Sequence, residues 1–136
     1  MRDGRDGRDG RDGRDSRSEN DERPESLLPL QPAAFHILVA LAETDRHGYA
    51  IMQEVAERTG GTFRINPGTL YTTIRRLLDQ GLILELDERP DPSEDDERRR
   101  YYRLTPFGRA VARAEVTRLE RMAALARQAG IAPRRT

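Results

Sequence analysis

The chain opens on a stretch with no apolar side chain and continues as a series of short, strongly periodic runs. Between Met1 and Leu27 the sequence is MRDGRDGRDGRDGRDSRSENDERPES, with no aliphatic or aromatic residue after the first. Such a segment has nothing to bury against the entropy of ordering, so residues 1–26 are expected to be a disordered tail. Glycine recurs every third residue from Gly4 to Gly13, but the repeat is too short and too poor in proline for a collagen helix. From Leu27 onward the pattern becomes helical. Ala34, Ile37, Leu38 and Leu41 stand at i, i+3, i+4 and i+7 and predict a first helix within Pro32–Glu43, its stripe widened by Phe35 and Val39. After a turn at Asp45–Gly48, Ile51, Met52, Val55 and Ala56 predict a second helix that ends at Gly60-Gly61.

The third helix has the clearest punctuation. Asn66 is a capping residue, Pro67 suits the first helical position, and Leu70, Ile74, Leu77 and Leu78 repeat at helical spacing up to Gly81. Leu82–Asp87 and Arg98–Leu104 read as two strands, separated by the loop ERPDPSEDDE, and are expected to pair as a hairpin. Thr105-Pro106 is a second cap and first-turn pair, opening a helix that runs to about Ala129 before Gly130. Along it Ala112, Val116, Leu119, Ala123 and Ala126 step by four and three, a heptad seam with Met122 beside it. Arg113, Thr117, Arg121, Arg127 and Gln128 take the opposite face. One small domain has no use for so long a seam, which predicts a partner helix from a second protomer. The expected organisation is a tail over 1–26, a domain over 27–105, a dimerisation helix over 106–130 and a flexible end over 131–136.

Charge changes this picture only when it is partitioned. The 136 residues hold 24 basic and 24 acidic side chains, for a net charge of zero, and every cation is arginine. Taken whole, that balance argues against a nucleic-acid partner. Yet Met1–Ser26 carry seven Arg and nine acids, Leu27–Leu86 five and six, Asp87–Glu97 one and seven, and Arg98–Thr136 eleven and two. A loop of −6 therefore abuts a strand and helix of +9, and phosphate responds to where cations cluster, not to the total. The absence of cysteine removes disulfides, thiolate metal sites and a cysteine nucleophile, and suits a reducing cytoplasm. No run approaches the roughly 18 apolar residues of a membrane span, and no apolar stretch follows the charged N-terminus as in a signal peptide.

Three helices followed by a hairpin is the order of a winged helix-turn-helix, whose third helix enters the major groove while the hairpin touches the flanking backbone. The fold class expected is mainly α with a small β-hairpin, extended by a long C-terminal helix. The N-terminus of the third helix, at Asn66, Pro67 and Gly68, offers backbone N–H groups and a positive dipole end to phosphate. Thr69 and Thr72 carry short hydroxyls, Tyr71 a phenol, and Arg75 and Arg76 cations, all largely off the Leu70–Ile74–Leu77–Leu78 face. On the wing, Arg98, Arg99 and Arg100 alternate between strand faces, so only part of the triplet can reach DNA. The others are expected to pair with Glu94–Glu97. DPSEDDE lacks the glycine and the ligand spacing of a calcium loop. His36, within the apolar first helix, reads as a packing residue, and His47 as a cap or a DNA contact. Nothing matches a zinc site, a phosphate-cradling glycine loop or a nucleophile elbow, so no cofactor and no enzymatic activity are expected.

Three blocks carry a family resemblance: HGYAIMQEV, NPGTLYTTIRRLLDQGLI and RRRYYRLTPFG, in that order and at that spacing. Together they resemble the PadR family of bacterial transcriptional regulators over roughly Leu30–Gly108, and loosely through the last helix. Tyr49, in the first block, joins the candidate DNA-facing residues. The resemblance implies a winged-helix homodimer, paired through a single C-terminal helix as in the short-tailed subgroup. It implies a repressor of an inverted-repeat operator, often of ATGT/ACAT type, released by a small-molecule effector. Some members stack flat aromatic effectors on a tryptophan of the last helix. This chain has no tryptophan, and Leu119 occupies the seam there, which takes that stacking surface away. The alternative function is a winged-helix module for protein association.

Overall fold

The computed structural model describes residues 23–86 and 100–133. Residues 1–22 of the tail, the acidic loop with Arg98 and Arg99, and residues 134–136 lie outside the described residues. Helix boundaries follow local chemistry. α1 (Pro32–Ala40) and α3 (Pro67–Asp79) both begin on proline, whose missing N–H would find no intrahelical acceptor there anyway. α2 (Gly48–Arg58) is capped by His47, whose Nδ1 accepts from the Ala50 N–H at 3.2 Å. α4 (Pro106–Gln128) is capped by Thr105, whose hydroxyl accepts from the Gly108 N–H at 2.9 Å. These elements make the described chain mainly helical, with a small antiparallel sheet, as the sequence pattern indicates.

The sheet keeps the expected antiparallel pairing of the two predicted strands and adds a third. It has three strands, β1 (Arg46–His47), β2 (Ile83–Glu85) and β3 (Tyr101–Leu104), in the order β1-β3-β2. Ile83 pairs with Leu104, Glu85 with Tyr102, Arg46 with Tyr102 and His47 with Tyr101. The segment read as a turn before α2 is thus the third strand. It has no apolar alternation of its own. Its neighbours hold it extended: Arg46 Nε donates to the Ala40 carbonyl at 2.7 Å, and its guanidinium lies 3.4 Å from Glu54. Asp45, one residue earlier, takes a bidentate pair from Arg103 of β3 at 3.1 and 2.9 Å.

Ile37, Leu38, Ile51, Val55, Leu70, Leu77, Leu82 and Val111 form the fully buried centre, drawn from all four helices and the residue just before β2. α4 enters this core at its first turn. The Thr105 N–H donates to the Leu82 carbonyl at 3.1 Å, and the Thr105 hydroxyl lies 2.7 Å from the Gly81 carbonyl. Gly108 then passes so close to β2 that a Cβ built on it would stand 2.0 Å from the Leu82 carbonyl oxygen.

The N-terminal segment reaches this core too. A 3-10 turn over Pro24–Leu27 begins inside the stretch read as a tail, held by the Ser26 N–H and hydroxyl on the Arg23 carbonyl at 3.0 and 2.8 Å. Leu27, Leu28 and Leu30 pack behind it on the core. They cover Glu115 of α4, which is 2% exposed. Its carboxylate accepts from the Leu30 N–H at 3.2 Å and from Arg118 at 2.6 and 3.0 Å. The Arg118 hydrogen bond holds the Glu115 carboxyl below the usual glutamate range, against the opposing push of burial, and the Leu30 N–H adds to it. A carboxylate so held stabilises the fold above its unfolded value, and the contribution is lost as the pH falls through the folded one. Glu115→Gln should therefore be less stable than the parent at neutral pH, by about 1–3 kcal/mol. The gap between their urea midpoints should close below the usual glutamate range. A gap that stays constant into acid would show that the charge is not its cause.

Candidate nucleic-acid interface

The face of α3 divides cleanly. Leu70, Thr73, Ile74 and Leu77 are buried, while Gly68, Thr69, Tyr71, Thr72, Arg75 and Arg76 are exposed on the outer side. The helix starts where expected: the Asn66 side chain accepts from the Thr69 N–H at 2.8 Å. That cap changes what the N-terminus can offer. Pro67 has no N–H, Thr69 donates to Asn66 Oδ1 and Leu70 donates to the Asn66 carbonyl at 2.9 Å. Only the Gly68 N–H of the first turn remains for an outside acceptor, fewer than the sequence reading allowed. Among the described residues, the Arg75 and Arg76 guanidinium groups have no carboxylate or hydrogen-bond partner.

Tyr49, at the start of α2, and Tyr71 are both about half exposed. A Cβ on Gly48 would stand 2.5 Å from the Tyr71 hydroxyl and 3.0 Å from its ring carbon, so the phenol lies directly on the glycine. The missing side chain at Gly48 thus fixes where Tyr71 sits between α2 and α3. Tyr102 of β3 is buried instead. Burial first, then Glu85 and Tyr71, push its phenol above the usual tyrosine range.

On the wing, Arg100 lies beside Glu85 of β2 at 2.6 Å. Glu85 pairs in register with Tyr102, so Arg100 stands diagonally across from it on the same face, within reach of a long side chain. The sequence reading sought such partners in Glu94–Glu97, and this one comes from the neighbouring strand. The +9 segment is further divided by its contacts. Arg103 is taken by Asp45, Arg109 by the Ala42 carbonyl at 2.8 Å and Arg118 by Glu115. His36 stacks on Phe63 at 4.4 Å, a packing role, and His47 caps α2. No three His, Cys, Asp or Glu among the described residues are grouped to hold a metal ion, and no described helix is long and apolar enough to cross a membrane.

Two clefts open on this part of the surface. One, of about 770 Å³, lies between the N-termini of α1 and α3, where Gln31, Asn66, Thr69, Thr72, Thr73 and Arg76 contribute to its walls. The other, of about 530 Å³, runs along α2 between Tyr49, Gln53 and Arg64. Sequence reasoning did not single out Arg64 or Gln53, because neither belongs to a periodic or punctuated block.

A second surface lies on α4. Ala112 belongs to the chain's own core, but Val116, Leu119 and Met122 are 41%, 43% and 54% exposed. Ala123 and Ala126 are half-buried, and Leu125, which the heptad count did not include, is 63% exposed. At the end of the helix the Ile131 N–H returns to the Ala126 carbonyl at 2.9 Å, so the chain folds back there.

Comparison with known proteins places this arrangement. The family model of the transcriptional regulator PadR-like family matches residues 37–114. Transcriptional regulator Rv3488 of Mycobacterium tuberculosis is 40% identical over 88 residues, which cover 65% of this chain and 76% of that protein. An uncharacterized protein of Lysinibacillus sphaericus is 38% identical over 74 residues, 54% of this chain and 65% of that protein, so the match spans just under two thirds of its length. The crystal structure of a PadR family transcription regulator from Clostridium difficile superposes with a TM-score of 0.62 at 26% identity, covering 72% of this chain and 97% of that one.

Proposed function

The chain belongs to the PadR-like family of transcriptional regulators, and on that premise we propose that it is a sequence-specific DNA-binding repressor acting as a homodimer in the cytoplasm. The observation that carries this reading is the outer face of α3, where Thr69, Tyr71, Thr72, Arg75 and Arg76 are exposed together and both arginines are free of partners among the described residues. The acid at i+3 or i+4 from them is Asp79, which they do not contact, so both charges are open to an outside anion. α3 lies in the major groove, with Arg75 or Arg76 forking onto guanine or neutralising phosphate. Tyr49, Tyr71 and the Gly68 N–H meet the backbone beside it, and the wing reaches the flanking phosphates through Arg98 or Arg99, Arg100 being held by Glu85. The exposed α4 stripe pairs two protomers over an inverted repeat. An effector held across that seam would meet aliphatic side chains, with no indole to stack on.

Operator binding tests this directly. Arg76→Ala should weaken it by about 1–3 kcal/mol while leaving the unfolding midpoint unchanged. If the dimer makes about six to ten phosphate contacts, log affinity should fall against log salt with a slope of roughly −5 to −9. Fluorescence anisotropy on DNA selected from a random pool measures both. Binding that ignores salt and tolerates Arg76→Ala would favour the protein-association reading instead.

A further inference from the structure

The cleft between α1 and α3 contains a buried group that the fold leaves unused. Thr73 is 5% exposed, and among the described residues its hydroxyl has no hydrogen-bond partner. A helical threonine normally returns its hydroxyl to a carbonyl one turn earlier, as Thr59 does with Val55 at 2.9 Å. A buried hydroxyl with no partner is costly and calls for an explanation, commonly a ligand or an ordered water. Thr73 lines the cleft, and Arg76 is the one charged residue among the described residues around it.

One helix N-terminus opens onto the same space. Gln31 places no side-chain cap on α1 and Pro32 has no N–H, so the Ala33 N–H at the cleft wall is without an acceptor among the described residues. It carries the positive end of the α1 dipole. Arg76 adds a full charge with no carboxylate partner, Thr69 and Thr72 add hydroxyls, and no Asp or Glu is among the described residues lining the cleft. Donors and positive potential converge on a concavity with no anion of its own, which is the chemistry of an oxyanion site.

We propose that this cleft binds one phosphate group, held by the Thr73 hydroxyl, the Ala33 N–H and Arg76. In the DNA-bound protein this is a backbone phosphate beside the bases that α3 reads. That last assignment rests on the DNA-binding reading above, whereas the oxyanion site itself does not. It gives α1 a part in binding that its apolar sequence does not suggest, and a free phosphate ester of the right size would compete with the operator for it.

The test has two arms on the full chain. In the first, inorganic phosphate is titrated at constant ionic strength and followed by the amide resonance of Ala33. A saturable shift is expected there, with affinity about tenfold weaker in Thr73→Val and near parental in Thr73→Ser, which keeps the hydroxyl. Non-saturating shifts, or equal affinity in Thr73→Val, would overturn the site. In the second arm, single phosphates of the selected DNA are replaced by neutral methylphosphonate. One position per half-site should lower affinity for the parent and have no further effect on Thr73→Val. If phosphate binds but no position is sensitive, the backbone assignment is overturned and a free phosphate ester is the ligand. If no DNA is bound at all, the repressor reading fails while the first arm still decides the site.

Discussion

Replacing Gly108 by alanine should cost about 3 kcal/mol or more, at or beyond the upper end of the usual range for an overpacked core. The new Cβ would stand 2.0 Å from the Leu82 carbonyl oxygen and 2.9 Å from Leu104 Cδ1. The side chain of Leu104 can rotate away, but Leu82 O is backbone. It already accepts from the Thr105 N–H at 3.1 Å, so moving it breaks the joint between β2 and α4. The melting temperature should fall on the order of 10 °C or more. Gly68→Ala is the matched control, since its Cβ would meet nothing closer than Asn66 Oδ1 at 3.4 Å. It should change stability by less than about 1 kcal/mol. Equal melting temperatures for the two variants would show that α4 docks without the close approach.

The second large effect is expected from Leu119→Glu. Leu119 is 43% exposed and lies outside the buried core, so the monomer should keep its fold. In the proposed dimer the substitution sets two like charges in an apolar seam beside Val116 and Met122. Sedimentation should show a shift to monomer. Operator affinity should fall by about 100-fold or more, because two half-site contacts no longer act as one linked event. A variant that remains dimeric would place the dimer interface elsewhere on the chain. A variant that dissociates yet binds the operator as before would show that dimerisation is not needed for recognition.

Much of this architecture is legible in the sequence because the responsible interactions are local. Asn66 and Thr105 cap helices by reaching an N–H three residues on, and the proline after each fixes the first turn, so both starts can be read residue by residue. The stripe of α3 and the seam of α4 follow from helical spacing alone. β1 could not be read in this way. Arg46 and His47 have no alternation, and they are extended because Tyr101 and Tyr102, far along the chain, give them a ladder. Glu115 is another case: the segment over Leu27–Leu30 covers a position that helical counting left unremarked.

The charges show where the division falls. Composition and order establish that eleven arginines and two acids follow the acidic loop, and the three sequence blocks resemble a family whose membership the comparisons bear out. Which arginines are available is a different kind of fact. Arg103 is taken by Asp45, 58 positions away, and Arg100 by Glu85 on the adjacent strand, whereas Arg75 and Arg76 are left free among the described residues. The same holds for Thr73, one threonine among several in sequence, but in the fold a buried hydroxyl with no partner among the described residues, at a cleft beside the N-terminus of α1. Sequence alone determines helices, caps and apolar faces, because these depend on neighbours within a turn. Tertiary structure alone decides which polar groups are satisfied, because their partners come from segments that only folding brings within hydrogen-bond reach.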